Sequence, residues 1–502
     1  MISYFMTNPE KKETRTWMIR CLKNRKSRPV DTEINAGTVT VCWNGPKDGA
    51  RPRNWSPVRK WAIVITNSLA TFMVSFSSSV FSGFIIQVQA ELEMSADVSL
   101  LGISLYVLGF SVGPMVWGPA SELYGKTRPL WAGYVFFCIF QAVSAVSRSA
   151  PSLLISRLLQ AIAGSSTLAI MSGMFVDFLT EPTSRGIATA IFSLAVFCGP
   201  AAGPIVGNVV TAHLGWRWAI WITLISSVGV GISAFLITPE TSETIILRRM
   251  AQRLRKETGN EAISAPGQEY EYSLSVFADK YLTKPLRMFG SEPILVMVTI
   301  YMSFVYGIIY LTFELYPQAF VVARGWSLVD ASLAFLGILA GVIVACIALG
   351  AHSICHVGPR FAETGEHVPE RRLPPMMLGS VILPIGTFWF SWTSFPEVSA
   401  VAQICSGVLI GAGAILSFMS GVLYLTEVYL QHANSALAIN NFIRSLFAAG
   451  FPYLGKLLIV RLGISVGGSI LGGICFALMP VSVVLWKFGN IIRQWSKYAY
   501  QE

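Results

Sequence analysis

Charge is scarce in this chain. Asp, Glu, Lys and Arg make up 13% of the 502 residues, against 53% hydrophobic, and the mean hydropathy is +0.57. That is too little polar surface to cover soluble domains of this size. Histidine is rarer still: the five residues, at 213, 352, 356, 367 and 432, read as loop positions, and no His/Cys/Asp constellation shows ligand spacing. Neither a metal site nor a catalytic centre is expected, so the chain reads as no enzyme and needs no bound cofactor. The eight cysteines form no CxxC pair and read as free thiols in packing roles. A nucleotide loop is also missing. The nearest text is SELYGKT, but Ala120 stands where the first glycine of GxxxxGK[ST] must be, and no strand precedes it. The first 58 residues show no cleavable leader, since their apolar residues are scattered among Lys and Arg.

What the chain has is long apolar runs. Crossing about 30 Å of hydrocarbon takes roughly 20 residues, and twelve runs qualify, centred near residues 72, 108, 139, 165, 198, 228, 305, 340, 384, 411, 445 and 475. Six precede a polar stretch at about 240–290 and six follow it. The expected fold is an all-α membrane protein of twelve transmembrane helices in two pseudo-symmetric six-helix bundles. The expected segments are a disordered cytosolic tail (1–58), a first bundle (59–239), a central cytosolic loop (240–292), a second bundle (293–488) and a short tail (489–502). In the central loop, Ile245, Leu247, Met250 and Leu254 form one stripe, and Arg248, Arg249, Arg253, Arg255 and Lys256 cover the rest. This is expected to be a basic amphipathic helix on the inner membrane surface.

The net charge of +10 does not point to nucleic acid, because its distribution is topological. With both termini inside, 30 of the 37 Lys and Arg lie on the cytosolic side and five in outer loops. The remaining two, Arg157 and Arg444, fall inside helices, where a side chain that stays charged must face a partner or water. The turn GPASELYGKTRPL, Gly118 to Leu130, gathers Glu122, Lys126 and Arg128 at the inner face around Gly118 and Gly125. With Asp177 ending the fourth span, it reads either as a charged latch or as plain topogenic charge. Glu314, in the outer third of the seventh span, reads either as a proton-exchanging carboxylate or as an interface carboxylate. Tyr301, Tyr306 and Tyr310, with Asn440 and Arg444, are candidates to line a cavity, against the alternative of packing.

The fifth run is broken by GPAAGPIVG, Gly199 to Gly207. Pro200 and Pro204 each remove a backbone donor. Gly199, Gly203 and Gly207 recur every four residues, so one face accepts a close neighbour. A bent, tightly packed helix is expected.

Taken together these motifs resemble the major facilitator superfamily and, within it, the fungal twelve-span drug:proton antiporters. GPASELYGKTRPL is similar to the superfamily's loop between spans two and three, RLLQAIAGS (Arg157 to Ser165) to its fourth-span signature, and GPAAGPIVG to the antiporter signature. WNGPKDGARPRNWSPVRKW and YLTEVYLQHANSALAINNFIRSLFAAGFP carry further likeness to the fungal branch. The resemblance departs at Lys126-Thr127, where Arg-Arg is usual. It implies proton-driven efflux of a small organic molecule across the plasma membrane, with Arg157 taking part in proton coupling; Glu314 is a second candidate on its position alone. The expected partners are a small-molecule substrate, protons and membrane lipid, and the expected state is a monomer. An uptake symporter or facilitator, and a non-transporting membrane sensor, are the alternatives.

Overall fold

The computed structural model of the chain describes residues 32–35, 38–43, 45, 47–260, 262–265, 283–364 and 368–499. These fall into two units, a small one from Met1–Asn54 with Thr244–Tyr270 and a large one from the rest.

In the small unit, β1 (Thr32–Asn35) and β2 (Thr38–Val41) pair antiparallel, and β3 (Ile263–Ser264) joins β2 in parallel. The disorder expected over residues 1–58 lies partly outside the described residues. Where the tail is described, that expectation fails. Thr38-Val39-Thr40-Val41 is a run of β-branched residues suited to a pleated strand, and Val41 finds apolar partners. The amphipathic helix is present as Glu243–Thr258. However, Leu247 and Ala251, with Met250 and Leu254 alongside, pack on Val41, Ile263 and Ala265. The stripe expected on lipid is therefore covered by the chain's own strands, which supply the apolar contact instead.

The large unit consists of helices. In the first half these are α1 (Pro57–Ser79), α2 (Ala96–Tyr124), α3 (Thr127–Val146), α4 (Ala150–Phe178), α5 (Pro182–Leu214) and α6 (Trp216–Ile237). In the second they are α7 (Pro293–Pro317), α8 (Phe335–His352), α9 (Pro374–Trp392), α10 (Ala400–Val428), α11 (Ala433–Leu478) and α12 (Pro480–Gln494). Proline opens α1, α5, α7, α9 and α12, where its missing N–H costs nothing. By length and apolarity, eleven described helices can cross a membrane, the last running 62 residues from Ala433 to Gln494. That last helix turns back at Gly463, whose φ of 77° is open to glycine. A Cβ on Gly467 would lie 3.3 Å from the Leu458 carbonyl oxygen, so the two arms lie side by side.

The pairings repeat between the halves. α2 packs on α4, α3 on α4 and α1 on α5, while α8 packs on α10, α9 on α10 and α7 on α11. Across the halves, α2 meets α11 and α5 meets α8, so adding six to each number exchanges the two contacts. Phe235, Leu236, Ile347, Val460 and Phe476 are exposed, an outer surface suited to hydrocarbon with every backbone bond kept inside the helices. The chain after α12 does not hang free. Buried Glu292 accepts from the Tyr429 hydroxyl at 3.1 Å, from the Lys497 N–H at 2.9 Å and from the Ser496 hydroxyl.

Candidate functional site

At the end assigned to the cytosol, Lys126 Nζ lies 2.7 Å from each oxygen of Asp177 and donates to the Gly173 carbonyl at 2.5 Å. Its own N–H donates to Glu240 at 2.9 Å, and the Thr241 hydroxyl donates to Asp177 at 2.9 Å. The knot ties the α2–α3 turn, the end of α4 and the segment after α6, all within the first half. The latch residues do not act as one group. Glu122 reaches across to the second half, where Asn434 Nδ2 donates to it at 3.2 Å, and Arg128 is exposed. Gly125 ends α2 at φ 92°, and Gly118 has open space around its Cα. The second half repeats the knot with Arg372 Nε 2.7 Å from Glu427 at the end of α10.

Arg157 is 2% exposed, which excludes reaching out to the membrane surface. Nε donates to the Gly102 carbonyl at 2.7 Å, and Nη2 to the carbonyls of Ser78 at 3.1 Å and Ser77 at 3.3 Å. The guanidinium also sits 4.5 Å over the Phe81 ring and 4.8 Å over that of Tyr106. A charge without carboxylate is thus held by dipoles and ring faces. Gly102, Ser77 and Ser78 have no signal in the sequence because they act through backbone carbonyls, while Phe81 and Tyr106 contribute ring faces.

The same stretch of α1 receives α5. A Cβ at Gly199 would lie 2.7 Å from Phe76 N, one at Gly203 1.9 Å from Ser79 Oγ, and one at Gly207 2.6 Å from the Val80 oxygen. The Ser79 hydroxyl donates to the Gly199 carbonyl at 3.3 Å. The glycines therefore serve packing inside the first half. The prolines, one position further around the helix, face the second half. Pro204 lines a cavity of about 290 Å³, and Pro200 a smaller void with Ile309, Phe313 and Phe335.

That larger cavity lies toward the outer end, between the halves. Its polar lining includes Gln89, Asn208, Glu314, Gln318 and Lys456, so Glu314 borders a space rather than packed protein. Lys456 Nζ also lies 2.6 Å from Asp97, and the Tyr453 hydroxyl donates to the Asp97 carbonyl at 2.8 Å, which joins α11 to α2. On the first half's outer face, Glu91 accepts from Trp216 Nε1 and from Arg217 Nη1, each at 2.5 Å. The Trp216 bond first, then the Arg217 bond, holds its carboxyl below the usual value of 4.5.

The tyrosine candidates divide. Tyr306 and Tyr310 sit at the centre, hydroxyls 3.3 Å apart, with Ser78 Oγ 3.4 Å from Tyr310. Phe197 from α5 and Phe418 from α10 complete the cluster, and Arg444 lies 4.8 Å over Tyr306 and 4.4 Å over Phe418. Tyr301 instead turns into the second half, hydroxyl to Ser417 at 2.8 Å, and Asn440 binds Thr299 at 3.0 Å beside it. None of these candidates, Tyr306, Tyr310 and Arg444 included, lines either of the two cavities described above. Five residues separate Tyr301 from Tyr306, well over a helical turn, whereas Tyr306 and Tyr310 share a face. The neighbour of Arg444 is Asn441, whose Oδ1 accepts from Nη2 while its amide donates to the Phe110 carbonyl of α2 at 3.3 Å.

Comparison with known proteins agrees with this architecture. Residues 68–452 match the model of the Major Facilitator Superfamily. The chain is 42% identical over 481 residues to a citrinin biosynthesis cluster transporter of Monascus ruber, covering 95% of this chain and 96% of that one. It is 41% identical to an ascochitine biosynthesis cluster transporter of Didymella fabae, covering 91% and 89%. It is also 38% identical to the cercosporin transporter of Cercospora nicotianae, covering 93% and 91%. Among solved structures, the proton:xylose symporter XylE shares the fold at TM-score 0.62 and 15% identity, over 86% of this chain and 96% of that one. The human organic anion transporter MFSD10 does so at 0.59 and 16%, over 85% and 100%. The chain is a multi-pass membrane transporter and belongs to the Major Facilitator Superfamily.

Proposed function

We infer that this transporter exports a small organic molecule, of the secondary-metabolite kind named for its fungal relatives, in exchange for protons at the plasma membrane. One observation carries the reading: residues Ser77–Gly83 hold the Arg157 guanidinium on one side and the glycine face of α5 on the other, while the proline face of α5 borders the cavity. A change in the bonding of the buried charge therefore reaches the cavity wall through one shared segment. Glu314, on the opposite wall, supplies the carboxylate that a proton can enter from outside. Rocking of one half on the other would then alternate the opening, with the α2–α11 and α5–α8 contacts as the sliding surfaces.

The test is reconstitution in liposomes with an imposed proton gradient. Proton entry should accelerate substrate movement in the opposite direction, and Arg157→Ala or Glu314→Gln should abolish the acceleration. Equal rates with and without the gradient would sink the coupling. Movement in the same direction as the protons would make the protein an uptake symporter.

A further inference from the structure

The central cluster holds a positive charge that the protein leaves uncompensated. Among the described residues, neither Arg157 nor Arg444 lies within ion-pair distance of a carboxylate. The two are not alike in other respects. Arg157 spends its donors on three carbonyls. Arg444 has one neutral acceptor, Asn441, and its Nε is closed off from solvent with no hydrogen-bond partner. A guanidinium held this way lacks what its planar fork fits best, the two oxygens of an anion.

Its surroundings are aromatic. Tyr306 and Phe418 stack at 5.8 Å and 30°, with Phe197 edge-on to Phe418 at 4.9 Å. These rings come from α5, α7 and α10, so both halves contribute. Tyr306 and Phe418 are buried against each other, so a flat ring carrying an acidic oxygen matches both features by parting them, its face on either ring and its oxyanion on Arg444. We propose that Arg444 anchors the oxyanion of a planar aromatic cargo, a carboxylate or phenolate, with Tyr306 and Phe418 as the stacking faces. This rests on the export reading for its biological sense and names the class of molecule exported.

The geometry also connects cargo to movement. An anion on Arg444 competes with Asn441 Oδ1, and the amide of Asn441 is bonded to the Phe110 carbonyl in the other half. Occupying Arg444 therefore releases the Oδ1 end of the side chain whose amide joins α11 to α2. A cationic cargo would meet repulsion at the same spot, and an aliphatic anion would forgo the rings.

Binding to the purified full chain, measured without any gradient, tests this with salicylate, benzamide and benzyltrimethylammonium as probes. Salicylate should bind at least tenfold tighter than benzamide. Arg444→Gln should remove that preference by weakening salicylate far more than benzamide, and Arg444→Lys should keep part of it. Phe418→Leu should weaken salicylate and benzamide alike, which separates stacking from charge. Thermal unfolding of each variant shows whether it is folded. The proposal is overturned if Arg444→Gln, folded, binds salicylate as the parent does. It is overturned too if the cation binds more tightly than the acid, or if salicylate fails to bind by about 10 mM. Salicylate binding that survives a failed gradient experiment would sink the antiport reading and leave this one standing.

Discussion

Two arginines lie inside the same bundle and are treated in opposite ways. Arg157 is enclosed by three carbonyls and two ring faces and makes its bonds to backbone that any sequence would present. Arg444 is half-buried, rests on rings and has a donor unbonded. The first is built into the fold. The second waits for a partner, and the difference separates a charge that holds helices together from one that receives something.

The sharpest way to break this comparison is to remove each charge. Arg157→Met should remove the charge-assisted hydrogen bonds to the carbonyls of Gly102, Ser77 and Ser78, each worth about 1.5–3 kcal/mol. Thermal unfolding should therefore fall steeply, while Arg444→Gln should change it little. Equal losses would show that both arginines are structural.

The seam beside Arg157 gives the next largest effect. Gly203→Ala drives a Cβ into Ser79 Oγ and the backbone of Val80, where overpacking costs about 1–3 kcal/mol. Gly118→Ala meets nothing within 4 Å and should be neutral or slightly stabilising, since alanine favours helix by about 1 kcal/mol. Comparing the two melting temperatures checks that the α5 glycines act through contact.

A smaller effect is expected at the link between the arginines' neighbourhoods. Tyr310→Phe removes the hydroxyl between Ser78 and Tyr306, and the long distances on both sides place its cost near the low end of about 0.5–1.5 kcal/mol. Transport rate should change more than stability. Tyr301→Phe loses a shorter bond to Ser417 and should leave transport unchanged. If the two variants behave alike, the central hydroxyls have no special part.

The smallest effect is at the outer rim. The Glu91 carboxyl is held below its usual range by the Trp216 bond and then by Arg217. A carboxylate lowered on folding stabilises the protein above the unfolded value, and that contribution is lost as pH falls through the lowered one. Because the side chain is 45% exposed, solvent screens the gain. Glu91→Gln should melt slightly earlier than the parent at about pH 7, and the two curves should converge as pH falls through and below the lowered carboxylate value.

Much of this arrangement was legible in the sequence wherever spacing alone determines placement. Glycines four apart must share a face, and the packing of Gly199, Gly203 and Gly207 on α1 follows from that. The spacing did not say which helix would fill the face. Lys126 and Asp177 both stand out in the sequence, yet their bond depends on how α2, α3 and α4 meet, and the part of Glu240 follows from that meeting too. Tyr301 and Tyr306 lie five positions apart and so face different ways, Tyr301 toward Ser417 and Tyr306 toward Tyr310 and Phe418. Ser77 and Ser78 could not have been found, since they act through carbonyls that every residue has. The basic helix showed its stripe clearly, but nothing local told whether lipid or a distant strand would cover it.

Buried Glu292 has a practical consequence for anyone who handles this transporter. The residues just after α12 are seated on that carboxylate, at the start of the helix that carries Tyr306, Tyr310 and Glu314. A fluorescent reporter or affinity handle joined immediately behind residue 499 would pull on this seat, and impaired activity of such a fusion would reflect the attachment. A long flexible spacer, or attachment at the opposite terminus, avoids mistaking a strained anchor for an inactive pump.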